Sequence, residues 1–334
     1  MFKVDVPEKI RVSLGSAIVI GLLDGKLDAA PTTAYILTYR NGKCIANCGF
    51  CPQARESKSR TDMLSRVSWP VFPTARVFEG IEKAVKKGLI KRVCFQALNY
   101  PKVFFHLMAL VKNLRLKVNV PISVSCQPLN EENIRMLASA GVEGISISLD
   151  AATEEIFDRV KGRKAGGPYV WKEEFRLLKE AVKILGKGKV TTHLIVGLGE
   201  TEEEMIKTIQ KCVDVGVLPA LFAFTPIPGT ALEKNSPPTI QQYRRVQIAR
   251  YLIFKGISRY EQMSFSTDGH VKDFGVKRED LLRIVQTGEP FLTSGCPNCN
   301  RPYYNERPGG PIYNFPRPLR EDEKTTAMIE LGIK

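Results

Sequence analysis

Long apolar runs are missing from this sequence. Nothing in it approaches the ~18 continuous apolar residues of a membrane span, so no membrane association is expected. The nearest stretch, VSLGSAIVIGLL at 12–23, follows a basic region and precedes DAAP. Asp5 and Glu8 interrupt that basic region, so the run reads as an amphipathic or buried first helix and not as a secretory signal. Cysteine is scarce, with eight in 334 residues, which excludes a disulfide scaffold. Acidic residues are in deficit: thirty-five stand against forty-nine Lys and Arg, a net charge of +14. That balance suits an acidic partner, whether nucleic acid, a membrane surface or an acidic protein. Solubility or a high-temperature habitat explains it equally well. Tandem repeats and low-complexity tracts are absent too.

What is present is ordinary for a soluble globular chain with a sizeable core: 43% apolar and 25% charged residues. Short runs rich in β-branched residues, at 34–40, 92–98, 121–126, 144–150, 190–197 and 220–226, read as buried parallel strands. Between them, 75–88, 102–114, 130–141, 173–186 and 202–216 repeat apolar positions at helical spacing, several ending in Gly. Further strand and helix signals fall at 261–267 and 276–288. This alternation predicts an α/β fold, a TIM-type (βα) barrel that is complete or nearly complete, with a doubly wound open sheet as the other architecture. In either, chemistry belongs at the carboxyl ends of the strands.

From Gly295 the character changes. CPNCNRPYYNERPGGPIYNFPRPL is dense in Pro, Gly, Tyr and Asn. Such a composition can be disordered, yet its aromatics and cysteine pair give it surface to bury, and an ordered cover over one barrel face is expected. The chain therefore divides into a barrel domain at 1–290, with an N-terminal helical segment, and an irregular C-terminal extension at 291–334.

Three cysteines cluster in GKCIANCGFCPQA: Cys44, Cys48 and Cys51. Their grouping points to metal in a reducing compartment, and so to the cytoplasm. A structural zinc wants four protein ligands, which a trio alone leaves incomplete. Three thiolates suit three corners of a 4Fe–4S cube and leave one iron open to a ligand.

CxxxCxxC with an aromatic, Phe50, before its last Cys, directly after the first expected strand, resembles the radical S-adenosylmethionine superfamily. The resemblance implies that S-adenosylmethionine chelates the open iron and is cleaved to a 5′-deoxyadenosyl radical. It also implies cofactor contacts elsewhere. Gln96 lies in the segment after the second strand, without the usual GGE. Ser148 and Asp150 end GISISLD at positions that bond the ribose in the biotin synthase branch. Val196 and Gly197 lie in IVGLGET, whose backbone runs along the adenine. Asp150 could instead cap the following helix, and the glycines could simply form a tight turn.

Similarity to biotin synthase extends over most of the barrel, including Cys94 and Cys126. There the corresponding cysteines, a third cysteine and an arginine imply an auxiliary 2Fe–2S cluster. This chain departs: Thr191 occupies the third position, and MSFSTDG, with Ser264 and Ser266, replaces the arginine region. Cys296 and Cys299 from the extension supply a replacement pair. With Cys94 and Cys126 they make four thiolates, enough for a second, auxiliary 4Fe–4S cluster or for zinc. Cys212, mid-helix, reads as a small buried apolar side chain.

The whole chain, and its tail above all, is similar to the archaeal two-protein lipoyl synthase family. That resemblance implies sulfur insertion at C6 or C8 of an octanoyl chain on a lipoyl carrier protein. It also implies a paralogous second radical S-adenosylmethionine protein as partner and an electron donor such as ferredoxin. Basic charge would help an acidic carrier dock, and His193 and His270 are weak candidates to line the mouth. Other readings are a biotin synthase, a non-catalytic iron–sulfur partner protein, and tRNA methylthiolation. The last lacks a visible RNA-binding module, so nucleic acid is not an expected partner.

Overall fold

The computed structural model describes residues 5–306 and 309–331; the outermost residues of both regions, 1–4 and 332–334, lie outside the described residues. The chain begins with β1 (Lys9–Val12) and the six-residue α1 (Leu14–Val19), so the run at 12–23 is a strand end and a short helix. Next come β2 (Thr33–Thr38), a hairpin of β3 (Met63–Leu64) and β4 (Val67–Ser68), β5 (Val71–Pro73) and α2 (Thr74–Lys86). Strand–helix alternation follows: β6 (Arg92–Gln96), α3 (Val103–Arg115), β7 (Ile122–Ser125), α4 (Glu131–Ser139), β8 (Gly144–Ser146), α5 (Glu154–Val160) and α6 (Trp171–Leu185). It continues with β9 (Val190–Val196), α7 (Glu202–Asp214), β10 (Val217–Ala223) and α8 (Ile240–Phe254). A second hairpin, β11 (Ser264–Phe265) and β12 (Val271–Asp273), precedes α9 (Arg278–Thr287) and α10 (Glu321–Glu330). Among the described residues no helix is long and apolar enough to cross a membrane.

The main sheet runs β10-β9-β8-β7-β6-β2-β1-β5. Six strands, β2 and β6 to β10, pair in parallel and in sequence order, while β1 and β5 add antiparallel at one end. A doubly wound sheet needs a point where strand order reverses; this order has none. It is the order of a barrel wall, consistent with the TIM-type expectation. The segment around 261–267 does not extend that wall, because β11 pairs with β12 instead. β2 is buried along its whole length, as a strand covered on both faces must be. Helices start where local chemistry favours it: Asn130 caps α4, and Thr201 with Glu204 forms a capping box on α7.

No ladder joins β10 to β5 among the described residues, and the C-terminal extension occupies the gap between β10 and β2. Leu221 N on β10 donates to Ser294 Oγ (2.9 Å), and Arg301 N donates to Tyr35 Oη on β2 (3.0 Å). Thr32 N donates to Asn300 Oδ1 (3.1 Å), and Arg92 Nε to Pro297 O (3.1 Å). Thr32 and Arg92 stand at the amino-terminal ends of β2 and β6. The extension is therefore ordered: it enters at the amino-terminal end of the barrel and runs on to the carboxyl side, where Thr225 Oγ1 donates to Asn305 O (3.2 Å) and Ser65 Oγ to Tyr304 O (3.1 Å).

Arg244 on α8 anchors this segment. Its fully buried guanidinium pairs with Glu330 (2.8 Å), donates to the carbonyls of Tyr313 (2.8 Å) and Ile312 (2.7 Å), and lies over the rings of Phe291 and Phe315. Arg244→Ala strands a carboxylate and two carbonyls, and breaking such a buried pair costs about 3–5 kcal/mol. Arg176→Ala, in an exposed pair with Glu173, costs less than about 1 kcal/mol. Urea denaturation of the two variants measures the difference.

Candidate metal centre

The cysteine loop leaves β2 and is held by backbone hydrogen bonds to three neighbouring segments. Cys44 N donates to Gln53 O (2.9 Å), Ile45 N to Asn99 O (2.9 Å), Gly49 N to Val160 O (2.7 Å), and Leu232 N to Gly49 O (3.0 Å). The buried Gln53 amide ties the loop's return to Thr61 O (2.7 Å). Asn99 N donates to Cys44 Sγ (3.1 Å).

Cys44, Cys48, Cys51, Cys94, Cys126, Cys296 and Cys299 all line one cavity inside the barrel. Cys212 does not; it is fully buried in α7, as expected of a packing residue. The seven do not form one level. The extension brings Cys296 and Cys299 to the neighbourhood of Cys94, and Cys126 has Cys44 of the loop as a neighbour.

Burial pushes the Cys48 and Cys94 thiols well up, Cys51 and Cys126 up to about 12, and Cys296 up. Such thiols keep their protons until a cation displaces them. Among the described residues, no three His, Cys, Asp or Glu side chains converge to hold a single metal ion. A cube places its thiolates on separate irons and needs no such convergence. The trio Cys44, Cys48 and Cys51 suits three corners of such a cube.

Phe50, Gln96, Ser148 and Asp150 also line the cavity. Asp150 has φ 63°, a left-handed conformation that Asp tolerates better than most residues. Its carboxylate meets the Lys161 ammonium at 2.7 Å, and Lys161 also donates to Gln127 Oε1 (2.9 Å) and to Ser148 O. Burial alone would push Lys161 down, but Asp150, Cys48 and Glu174 outweigh it and hold it above its ordinary value. Sequence reasoning missed Lys161: it sits in a basic stretch, and nothing local marks it as the one that turns inward.

Val196 and Gly197 stand back from the cavity. Alternation along β9 turns His193 and Ile195 inward and leaves Leu194 and Val196 in the core. Gly197 has φ +102°, a Cβ there would come within 2.7 Å of Pro238, and its N–H is taken by Glu200 (2.6 Å). The glycine serves a tight, crowded turn. His193 lines the cavity between Ser146 Oγ (3.3 Å) and Ser148 Oγ (2.9 Å). His270 does not: it lies on the β11–β12 hairpin against Glu202 (3.0 Å). Arg301, also unforeseen, enters from the extension with its guanidinium 3.9 Å from the Phe222 ring centroid.

The sequence model of the Radical SAM superfamily matches residues 39–212, just over half of the chain. The chain belongs to the radical S-adenosylmethionine superfamily. It is 26% identical over 217 residues to biotin synthase of Persephonella marina, covering 63% of this chain and 60% of that relative. With biotin synthase of Chlamydia pneumoniae it shares 24% over 231 residues, 66% of this chain and 65% of the relative. The chain thus spans about three fifths of the length of the curated relatives it matches. Among solved structures, methylornithine synthase superposes with a TM-score of 0.51 at 14% identity, over 66% of this chain and 62% of that one. The FeFe-hydrogenase maturase HydG of Carboxydothermus hydrogenoformans gives 0.50 at 16%, over 72% and 55%. These structures bear on fold alone. The curated relatives named here are biotin synthases, and membership of the superfamily implies a 4Fe–4S cluster and S-adenosylmethionine.

The inward histidine of this radical SAM barrel gives a pH signature. Burial, then the opposing charge of Asp150, then Arg301 and Lys161 leave His193 with its pKa lowered to about 4. Between that value and its unfolded value of about 6.5, the unfolded chain binds the extra proton, so stability is lost as pH falls through the window. The loss is of order 3 kcal/mol. In apoprotein denatured by urea from pH 7 to pH 4, His193→Gln is expected to show a correspondingly shallower decline.

Proposed function

We propose that this chain inserts sulfur into an unactivated C–H bond, at C6 or C8, of an octanoyl chain carried on a protein lysine, as one component of a two-protein lipoyl synthase. The observation that carries the reading is that two groups of thiols, from the β2 loop and from the extension with Cys94, line the same cavity. Cys44, Cys48 and Cys51 would hold the first cluster. When bound, that cluster and S-adenosylmethionine supply the 5′-deoxyadenosyl radical that removes a hydrogen atom. The second group would hold an auxiliary 4Fe–4S cluster as the source of sulfide.

The chain's own residues suit this work. Leu37, Phe222, Phe224 and Ile227 give the cavity an apolar wall that can take an alkyl chain. The extension covers one side of the cavity, which limits the access of water to a reactive carbon there. Lys161, held by Asp150, is a buried cation beside the first thiols, suited to a carboxylate. The proposed partners are a paralogous radical SAM protein, an octanoylated lipoyl carrier protein attracted by the +14 charge, and an electron donor such as ferredoxin.

The names of the relatives favour a second reading, biotin synthase acting on dethiobiotin. Thr191 stands against it: on β9, paired with Ser146 and facing the second thiol group, it occupies the place of that family's third cysteine. A non-catalytic iron–sulfur partner is the third. With dithionite and S-adenosylmethionine, the anaerobically reconstituted protein is expected to form 5′-deoxyadenosine and, given an octanoyl-lysine peptide, a thiolated product. Cys44→Ala takes both to background. Product from dethiobiotin instead identifies a biotin synthase, and no 5′-deoxyadenosine in the wild type identifies the non-catalytic partner; mass spectrometry reads all three.

A further inference from the structure

Two neighbouring tyrosines of the extension go opposite ways. Tyr303 donates to the exposed Asp28, whereas Tyr304 lines the cavity. Between them the chain turns: Tyr303 has φ 53°, a left-handed conformation uncommon outside Gly. Bonds on both sides fix the turn. Arg301 N donates to Tyr35 Oη (3.0 Å) before it, and Ser65 Oγ donates to Tyr304 O (3.1 Å) after it. Thr225 Oγ1 then holds Asn305 O (3.2 Å), and the buried Glu306 carboxylate accepts from Asn305 N and Asn314 N, both at 3.0 Å.

This turn places a ring between the two groups of thiols. Parallel pairing puts Tyr35 beside Cys94, and Leu37 beside Gln96. The two pairs share a face and stand roughly 7 Å apart, at about 3.3 Å per residue. Tyr35 Oη lies 3.3 Å from Cys299 Sγ, so the second group belongs to the Tyr35 row. Tyr304 has Gln96, Cys51 of the loop and Cys94 as neighbours. Its ring meets that of Phe222 edge to face, with centroids 6.0 Å apart. The extension thus adds an aromatic wall to the stretch of cavity that separates the two groups.

We propose that Tyr304 is a specificity-determining and positioning residue, whose ring closes the side of the slot in which the attacked alkyl chain lies. The inference rests on the reading that an alkyl C–H bond is attacked in this cavity. An unbranched chain fits beside the ring. A branched one must displace a side chain whose backbone is tied to Ser65 and, through Asn305, to Thr225. The ring confines the chain sideways and does not set its depth. Ring area is what acts, and the phenol oxygen is not required.

The test is calorimetric binding of octanoyl-lysine and 7-methyloctanoyl-lysine peptides to the full chain, reconstituted with S-adenosylmethionine and without reductant. Wild type and Tyr304→Phe are expected to favour the unbranched peptide about tenfold or more, and Tyr304→Ala less than about threefold. After dithionite is added, Tyr304→Ala is expected to form several-fold more 5′-deoxyadenosine per thiolated product, because a chain free to turn meets sulfide less often. Iron content and thermal unfolding check loading and fold, and Tyr304→Leu replaces the alanine variant if either is lost. Wild-type discrimination or a wild-type product ratio in the folded, loaded Tyr304→Ala overturns the assignment. So does Tyr304→Phe behaving as Tyr304→Ala does. Wild type that binds neither peptide overturns the octanoyl reading itself, a separate failure.

Discussion

A parallel sheet of six strands has an interior it cannot close by itself. Two edges remain, and each exposes backbone donors and acceptors that must be paired or covered. In this chain β1 and β5 extend one side, and the C-terminal extension bonds to β10 and β2 across the other. The site depends on that closure. Without it Cys296 and Cys299 would be absent from the cavity, Arg301 would not reach Phe222, and water would enter from the side. A segment rich in Pro and Gly can do this because it needs no periodic structure of its own. It borrows order from Ser294, Asn300, Arg244 and the buried rings of Phe291 and Phe315.

Charge inside the barrel consists of one opposed pair and two guanidinium groups held by neutral oxygens. Lys161 meets Asp150 near the first thiols, and Arg92 and Arg301 stand beside the second. Isolated, each cation would be costly to bury. Together with thiols that burial keeps protonated, they leave a cavity richer in positive charge than in negative. Anionic clusters and a carboxylate-bearing cofactor are the species such a cavity stabilises, because negative charge left by a lost thiol proton meets cations already in place.

Much of this was legible in the sequence, for reasons that differ by residue. The alternation of β-branched and helical runs gave the barrel, since period is a local property. Cys44, Cys48 and Cys51 were legible because one loop carries them. Cys94 with Cys296 and Cys299 was legible only as a need for partners. Cys126 was legible from VSCQPL as a thiol at a strand end, and it lines the cavity with the others. Register across β6 and β7 is a non-local fact that no motif carries. His270 fell away for a similar reason: the hairpin that carries it packs against α7, outside the wall. Lys161 and Arg301 had no signal at all among forty-nine basic residues.

Two levels of thiols also give the cavity a direction. The β2 loop stands past the carboxyl end of its strand, whereas Cys94 lies within β6 and meets a segment that enters from the opposite end. Anything bound between them would have the first set above and the second below, with Phe222 and His193 at its side. A radical chemistry gains from this only if the substrate is too confined to turn, because the nearest atom on each side then decides which bond breaks and which forms. The wall of Leu37, Phe222 and Phe224 offers no polar group to hold an alkyl chain in register. Orientation must therefore come from the part of the substrate that stays at the mouth. Under the proposed function, with an octanoyl chain tethered to a folded carrier, that part would be a protein surface, and the choice of carbon would depend on how deep docking lets the tether reach.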